Sequence, residues 1–398
     1  MTFYKKIRIY KPKLICLLLY ISPFIDVFTG FCKLNGFSID WCSVVFKTIL
    51  FLVCFGTHIK YSNNKELFKL CLILCWVFIS IVWHMNGLSD LSLIIEDISQ
   101  YIKLFLPLVL FFSISNLKSR HLYNNKSVEN VIIYYLFFYP LSIIIPKILG
   151  IGFHTYGRME SGYKGFYYGG NGINILQILL MLLSVYKLIY ESKTLKNYVL
   201  VGLNVISTML IGTKSSIITM GYLVLLVLFF NNEKRERKKS GFWLVFLLIL
   251  FLSLFLFYKT NESFIENIIF RLQWEIKRVN GNYLDFITNS RIKNGFPYFI
   301  MAIQNDNWGL NILCGVGYTK FLDVVEMDLI DIILHFGFVI LYVIAFFYFR
   351  RIKKISSMYM KAVVLFALVY AFWAGHLLIT PMSSIVLVLI CTEDYSKS

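Results

Sequence analysis

A helix needs about 20 apolar residues to cross roughly 30 Å of hydrocarbon, and this chain offers such runs again and again. They centre on residues 14–31, 40–57, 67–85, 95–115, 129–149, 172–190, 197–212, 215–230, 241–258, 327–349, 361–378 and 381–392. The last is short, so about twelve transmembrane helices are expected, or eleven if it does not cross. Only helices and closed barrels satisfy every backbone polar group in lipid, and runs of this length select helices. Of the 398 residues 58% are hydrophobic and 15% charged, against roughly a quarter charged in soluble chains. A water-soluble globule of this composition would expose apolar surface that it could not cover. The expected fold class is an all-α polytopic integral membrane protein with one large extracytoplasmic loop.

The formal charge of +17 is large for so apolar a chain, and it fits either nucleic-acid binding or membrane orientation. Its distribution decides for orientation. One alternate set of connections holds about two thirds of the Lys and Arg, from Lys5, Lys6 and Arg8 through Lys118 and Arg120 to Arg350, Arg351, Lys353 and Lys354. Basic loops mark the cytoplasmic side, so both termini are expected there. The run Asn231 to Lys239 is too short and too mixed in sign for a nucleic-acid domain and reads as a topology determinant. A basic start before Leu14 resembles a secretory signal, but no small-residue cleavage site follows, so a retained first helix is expected. Most cysteines lie in or beside spans and read as small hydrophobes. Cys32 and Cys314 fall on the outer side, which leaves a disulfide between them open.

Two long connections stand out, and both fall on the extracytoplasmic side. Three parts follow: residues 1–258 as a bundle of nine spans with the outer loop 150–171, residues 259–325 as the large extracytoplasmic loop, and residues 326–398 as the last three spans with a short tail. The loop 150–171 carries seven glycines, six aromatic rings including Tyr168, and the cations Arg158 and Lys164. The large loop carries Trp274, Trp308, Arg271, Arg278, Arg291 and Lys293, and Phe264, Ile268, Leu272 and Ile276 recur in it at helical spacing. Rings interleaved with cations suit a sugar phosphate, because a pyranose face packs on an aromatic ring while guanidinium groups grip phosphate oxygens. Tyr and Trp also anchor chains at membrane interfaces, but anchors do not need the permissive backbone that seven glycines provide.

Three smaller constellations add to this. Gly212-Thr213-Lys214-Ser215-Ser216 forms a tight outer turn in which a helix N-terminus and Lys214 would face an anion, or in which Thr213 or Ser215 merely caps the helix and the lysine snorkels. Glu326, Asp328, Asp331 and His335 open the tenth span, and the last three fall within about 60° of one another at helical spacing. Ionisable groups in a span cost about 2.5 to 3.5 kcal/mol each and turn to a cavity or a partner, so Asp328 or Glu326 is a candidate general base. His376 is a weaker candidate, and Asp26, Asp97 and Lys103 are expected to be intramembrane partners. No ATP-binding glycine loop, His-Glu-x-x-His pair or serine elbow occurs.

Taken together, these pieces resemble the Wzy-type bacterial polysaccharide polymerases, relatives of the O-antigen ligases. The resemblance rests on the Gly212–Ser216 turn, on Asn289-Ser290-Arg291 in the large loop, on Gly315-Val316-Gly317-Tyr318, and on Glu326-Met327-Asp328-Leu329 leading to His335-Phe336-Gly337, where ligases usually have His-Asn. It implies transfer of a growing glycan from undecaprenyl diphosphate to a new lipid-linked oligosaccharide repeat, for O-antigen or capsule, with membrane lipid, a chain-length regulator and a flippase as partners. No cofactor, metal or nucleic acid is implied. Arg291 with Asp328 or Glu326 would be catalytic, and Arg158, Lys164, Lys214, Tyr168 and Trp308 would bind substrate. Lys214 stands where the family more often has Arg, which removes bidentate phosphate binding there. A rival reading, a flippase, predicts repeated halves. None is visible between residues 1–200 and 201–398.

Overall fold

The computed structural model describes residues 2–37, 39–85, 91–123, 125–157, 161–230, 262–280, 282–304, 307–317 and 325–393. Arg158 and the run 241–258 lie outside these. Helices α1 (Thr2–Leu34), α2 (Asp40–Tyr61), α3 (Asn64–Met85), α4 (Leu91–Ser119) and α5 (Asn125–Ile148) follow one another in sequence, with α1 packed on α2 and α5 and α4 packed on α2. Among the described residues, six segments are long and apolar enough to cross a membrane: Lys13–Leu34, Asp40–Tyr61, Asn64–Met85, Ser92–Ser119, Lys126–Ile148 and Gly170–Glu191. The protein is a mostly helical, multi-pass membrane protein.

Helix α6 (Gly170–Tyr186) is the centre of the bundle. Every residue from Gly172 to Tyr186 is buried, as expected of a helix that is apolar all round. It ends in a single π turn, Lys187–Glu191, before α7 (Leu195–Ile211) and α8 (Lys214–Phe230). By contrast, α3 buries little beyond Ser80 and His84 and turns Phe68, Leu72 and Phe78 outward, the pattern of a helix bathed in hydrocarbon. The basic ends meet on one face: Arg120 Nε donates to the Tyr61 carbonyl at 3.2 Å and Lys118 Nζ to that of Thr392 at 2.7 Å.

On the opposite face the loop after α5 folds into a two-stranded hairpin, β1 (His154–Tyr156) against β2 (Ser161–Tyr163), antiparallel with Tyr156 opposite Ser161. All three β2 residues are buried. Gly162 has φ +69°, and a Cβ there would collide with the Ile211 carbonyl and the Thr155 side chain, so here glycine lets the hairpin lie flat on the end of α7. Gly162→Ala is expected to lower stability by about 2 kcal/mol. The check is the thermal midpoint of the detergent-purified protein, and an unchanged midpoint would show that the hairpin yields without strain.

The same face carries α9 (Glu262–Arg278), α10 (Tyr283–Thr288), α11 (Arg291–Gln304) and α12 (Trp308–Cys314). The four-residue spacing of Phe264, Ile268, Leu272 and Ile276 does fall within one helix, α9. The segment read as one span, 327–349, is instead broken into α13 (Asp328–Phe336) and α14 (Phe338–Lys354). The break is at Gly337, φ +87°, where a side chain would strike the Leu313 carbonyl at the end of α12. The Val316 N–H donates to the Leu334 carbonyl at 2.8 Å, tying the segment after α12 to the end of α13. Helices α15 (Met358–Ala374) and α16 (Pro381–Thr392) close the chain, with Ser357 capping α15 and Pro381 in the first turn of α16. All eight cysteines are free, Cys32 and Cys314 among them.

Candidate functional site

On the hairpin face, a cavity of about 400 Å³ opens among the ends of α1 and α2, the residues leading into α6, Glu326, and the turn between α15 and α16. Its position follows from local folding. The hairpin returns the chain at Tyr167-Tyr168-Gly169 to the start of α6, and the turn after Gly375 brings His376 to the opposite wall.

Glu326 stands at this cavity with the Arg291 guanidinium 2.6 Å from its carboxylate. The Asn171 amide donates to the same carboxylate oxygen at 3.3 Å. Glu326 keeps 45% of its side chain exposed while Arg291 keeps 12%, so the carboxylate is open to a ligand and its cation is sheltered behind it. Glu326 and His376 both line the cavity and both have φ near +64°, a region costly for non-glycine residues and most often tolerated at functional sites. Arg291 follows Asn289 and Ser290, with φ of 54° and 61°. These set the corner between α10 and α11, and Arg278 holds the Asn289 side chain at 2.9 Å.

Asp328 is placed differently. Its carboxylate is 1% exposed and accepts the backbone N–H groups of His376 (2.5 Å), Leu377 (2.8 Å) and Leu378 (2.7 Å). It therefore fixes the turn that carries His376. Asp331 is likewise used by the backbone, accepting from Val325 at 2.8 Å and Met327 at 3.1 Å. The polar stripe read from the sequence faces protein, and of the two carboxylates singled out, Glu326 is the one at the cavity.

Tyr168 is exposed at the cavity mouth, with the Lys33 ammonium 3.6 Å from its ring centroid. Lys164 braces it by donating to the Tyr168 carbonyl at 2.6 Å, and burial lowers the pKa of this ammonium. Trp308 begins α12, is 56% exposed and does not line the cavity.

Lys214 belongs to a second cluster. Its ammonium lies 2.6 Å from Glu275 and donates to the Phe286 carbonyl at 2.8 Å. Thr213 caps α8 by accepting from the Ser216 N–H at 3.1 Å, which is the ordinary capping arrangement. Arg271, 1% exposed, donates to the Gly212 carbonyl at 3.0 Å and stacks 4.0 Å from the Tyr156 ring. Glu275 and Arg271 thus pin α9 to both the hairpin and the turn. Their i, i+4 spacing on an amphipathic helix was a legible signal that sequence reasoning passed over. Asn174 packs against this cluster from α6. It donates to Ser215 and to the Tyr370 hydroxyl, each at 2.8 Å, one helical turn below Asn171.

Of the expected intramembrane partners, Asp26 pairs with Lys47 at 3.2 Å and Asp97 with His84 at 2.7 Å. Lys103 lines the cavity.

A family model described as O-antigen ligase like membrane protein matches residues 9–280. The matched region includes the hairpin, Lys214, Arg271 and Glu275, whereas Arg291, Glu326 and Asp328 lie beyond it. No curated protein and no solved structure matches the chain.

Proposed function

This chain belongs to the O-antigen ligase-like membrane protein family, and from that premise we propose that it polymerises undecaprenyl-diphosphate-linked oligosaccharide repeats into O-antigen or capsular polysaccharide. In this reading the hairpin face is the outer face of the bacterial cytoplasmic membrane, and both termini are cytoplasmic. The family makes the protein a membrane enzyme of polysaccharide assembly that transfers glycosyl groups. The observation that carries the finer reading is the 2.6 Å Arg291–Glu326 pair at the wall of a cavity large enough for sugar units.

The acceptor hydroxyl attacks the anomeric carbon of the donor as its proton passes to the Glu326 carboxylate. The bond from that carbon to the diphosphate oxygen breaks, and undecaprenyl diphosphate leaves with the electron pair. Arg291 neutralises the charge that builds on the leaving group, the largest demand in such a transfer. Asp328 acts as a positioning residue through the turn that carries His376. Tyr168 offers a face for a pyranose ring, and Lys164 holds Tyr168 in place. Arg158 keeps the glycan-binding role that the resemblance implies, whereas Trp308, which does not line the cavity, has no contact in this step. Lys214, paired with Glu275, binds diphosphate only by exchanging that partner.

A second reading, ligation of finished glycan to its final acceptor, is favoured by membership of the O-antigen ligase-like family. Deleting the gene in its own host separates the readings by the surface glycan. A polymerase mutant is expected to carry single repeats on the final acceptor. A ligase mutant would carry none, and a flippase mutant would trap repeats inside the cell.

A further inference from the structure

The cavity has a floor that the reaction above does not use. Three lysines line the cavity: Lys33 at the Tyr168 mouth, and Lys47 and Lys103 on α2 and α4. Two have counter-ions, Lys33 with Asp40 at 3.2 Å and Lys47 with Asp26 at 3.2 Å, and Lys47 also donates to Ser22 at 2.5 Å. Lys103 makes no hydrogen bond or ion pair among the described residues. The acid that acts on it, Glu96, is two turns away on the same helix.

Lys103 is the thirteenth residue of α4, about 18 Å along the helix axis from its start. Snorkelling lysines sit close to a helix end. One placed this far along a spanning helix turns to a partner or to a cavity, and the partner is the part lacking here. Among the described lysines and carboxylates that line the cavity, all but Lys103 face a partner of opposite charge, so its ammonium is the one left without an ion pair, and the pairs around it hold the walls in place. The occupant that such a floor selects is an anionic group small enough to pass the Tyr168 mouth.

We propose that Lys103 is the anion-binding residue of a deep subsite, taking a phosphate or a sugar carboxylate of the substrate into the cavity among α1, α2 and α4. Only the identity of the occupant rests on the polysaccharide reading. The ion pair itself does not.

The test uses the full-length protein in lipid nanodiscs, titrated separately with sodium pyrophosphate and sodium glucuronate. Wild type is expected to bind at least one of them saturably, Lys103→Met to bind it about tenfold more weakly, and Lys103→Arg to stay close to wild type. Pyrophosphate alone identifies the lipid diphosphate as the source, and glucuronate alone an acidic sugar. Equal affinity in Lys103→Met, or no saturable binding of either anion by wild type, overturns the proposal. A second measurement needs no variant: acetylation of Lys103, read by mass spectrometry, is expected to fall about fivefold when the anion saturates, as it forms its charge-assisted pair. Unchanged labelling overturns the proposal too. Should the deletion strain still make long chains, the polymerase reading falls while these binding results stand on their own.

Discussion

Arg291→Ala is expected to cut chain elongation about a hundredfold or more, the loss typical of removing one group that stabilises developing charge, while the protein still inserts and purifies. Arg291 sits behind a half-exposed carboxylate, and its removal leaves Glu326 without its cation and, in this reading, the leaving diphosphate without the guanidinium assigned to it. Glu326→Gln should produce a loss of similar size by removing the proton acceptor, at roughly 10²- to 10⁴-fold for general-base groups. The two variants together separate chemistry from scaffolding. If the pair only ties α11 to the segment before α13, the double variant Arg291→Ala/Glu326→Gln recovers activity, because neither charge is then left alone. If the two groups act in the reaction, the double variant is as inactive as either single one. Glycan ladders from complemented deletion cells read all three, and wild-type ladders from Arg291→Ala would end the role assigned to it.

Asp328→Ala is expected to act on the fold, with a loss of about 3 kcal/mol or more. One carboxylate satisfies three consecutive backbone N–H groups at 2.5–2.8 Å in a site closed to solvent, and alanine leaves all three without a partner. The turn that presents His376 to the cavity should then loosen, and the purified protein should melt earlier and run broader on size exclusion. Asp328→Asn is the sharper probe. Its amide oxygen can still accept, but its NH₂ group opposes one of the donors, so stability should fall less than in Asp328→Ala. Asp328→Asn with wild-type stability and no activity would instead place the proton acceptor at Asp328. Full activity in Asp328→Ala would show that the turn holds without it.

The membrane-spanning helices were legible because a run of about 20 apolar residues has few alternatives in lipid. The break at Gly337 was not, because helical apolar residues flank it closely on both sides, and the approach of the Leu313 carbonyl, two dozen residues upstream, is what requires it. The hairpin was legible as a glycine-rich loop but not as strands, since its conformation depends on α7 beneath it. Among candidate residues, Glu326, Arg291 and Tyr168 could be named from type and order. What each one touches was hidden by distance in sequence: Asp328 meets backbone 48 to 50 residues away, Lys214 meets Glu275, and Arg271 meets Tyr156 and Gly212. Asp26 announced itself as a charge that needed a partner, and the structure supplies Lys47, another charge within a span.

The central claim is that this chain joins lipid-linked repeats to one another. Its most direct test is the purified protein in liposomes, given synthetic undecaprenyl-diphosphate repeats and no nucleotide sugar, with the products sized on a gel. The predicted result is a ladder stepped by one repeat, with one undecaprenyl diphosphate released per bond formed. Repeats that remain single in protein that is folded and correctly inserted, or that move only onto a separate acceptor one at a time, would contradict it.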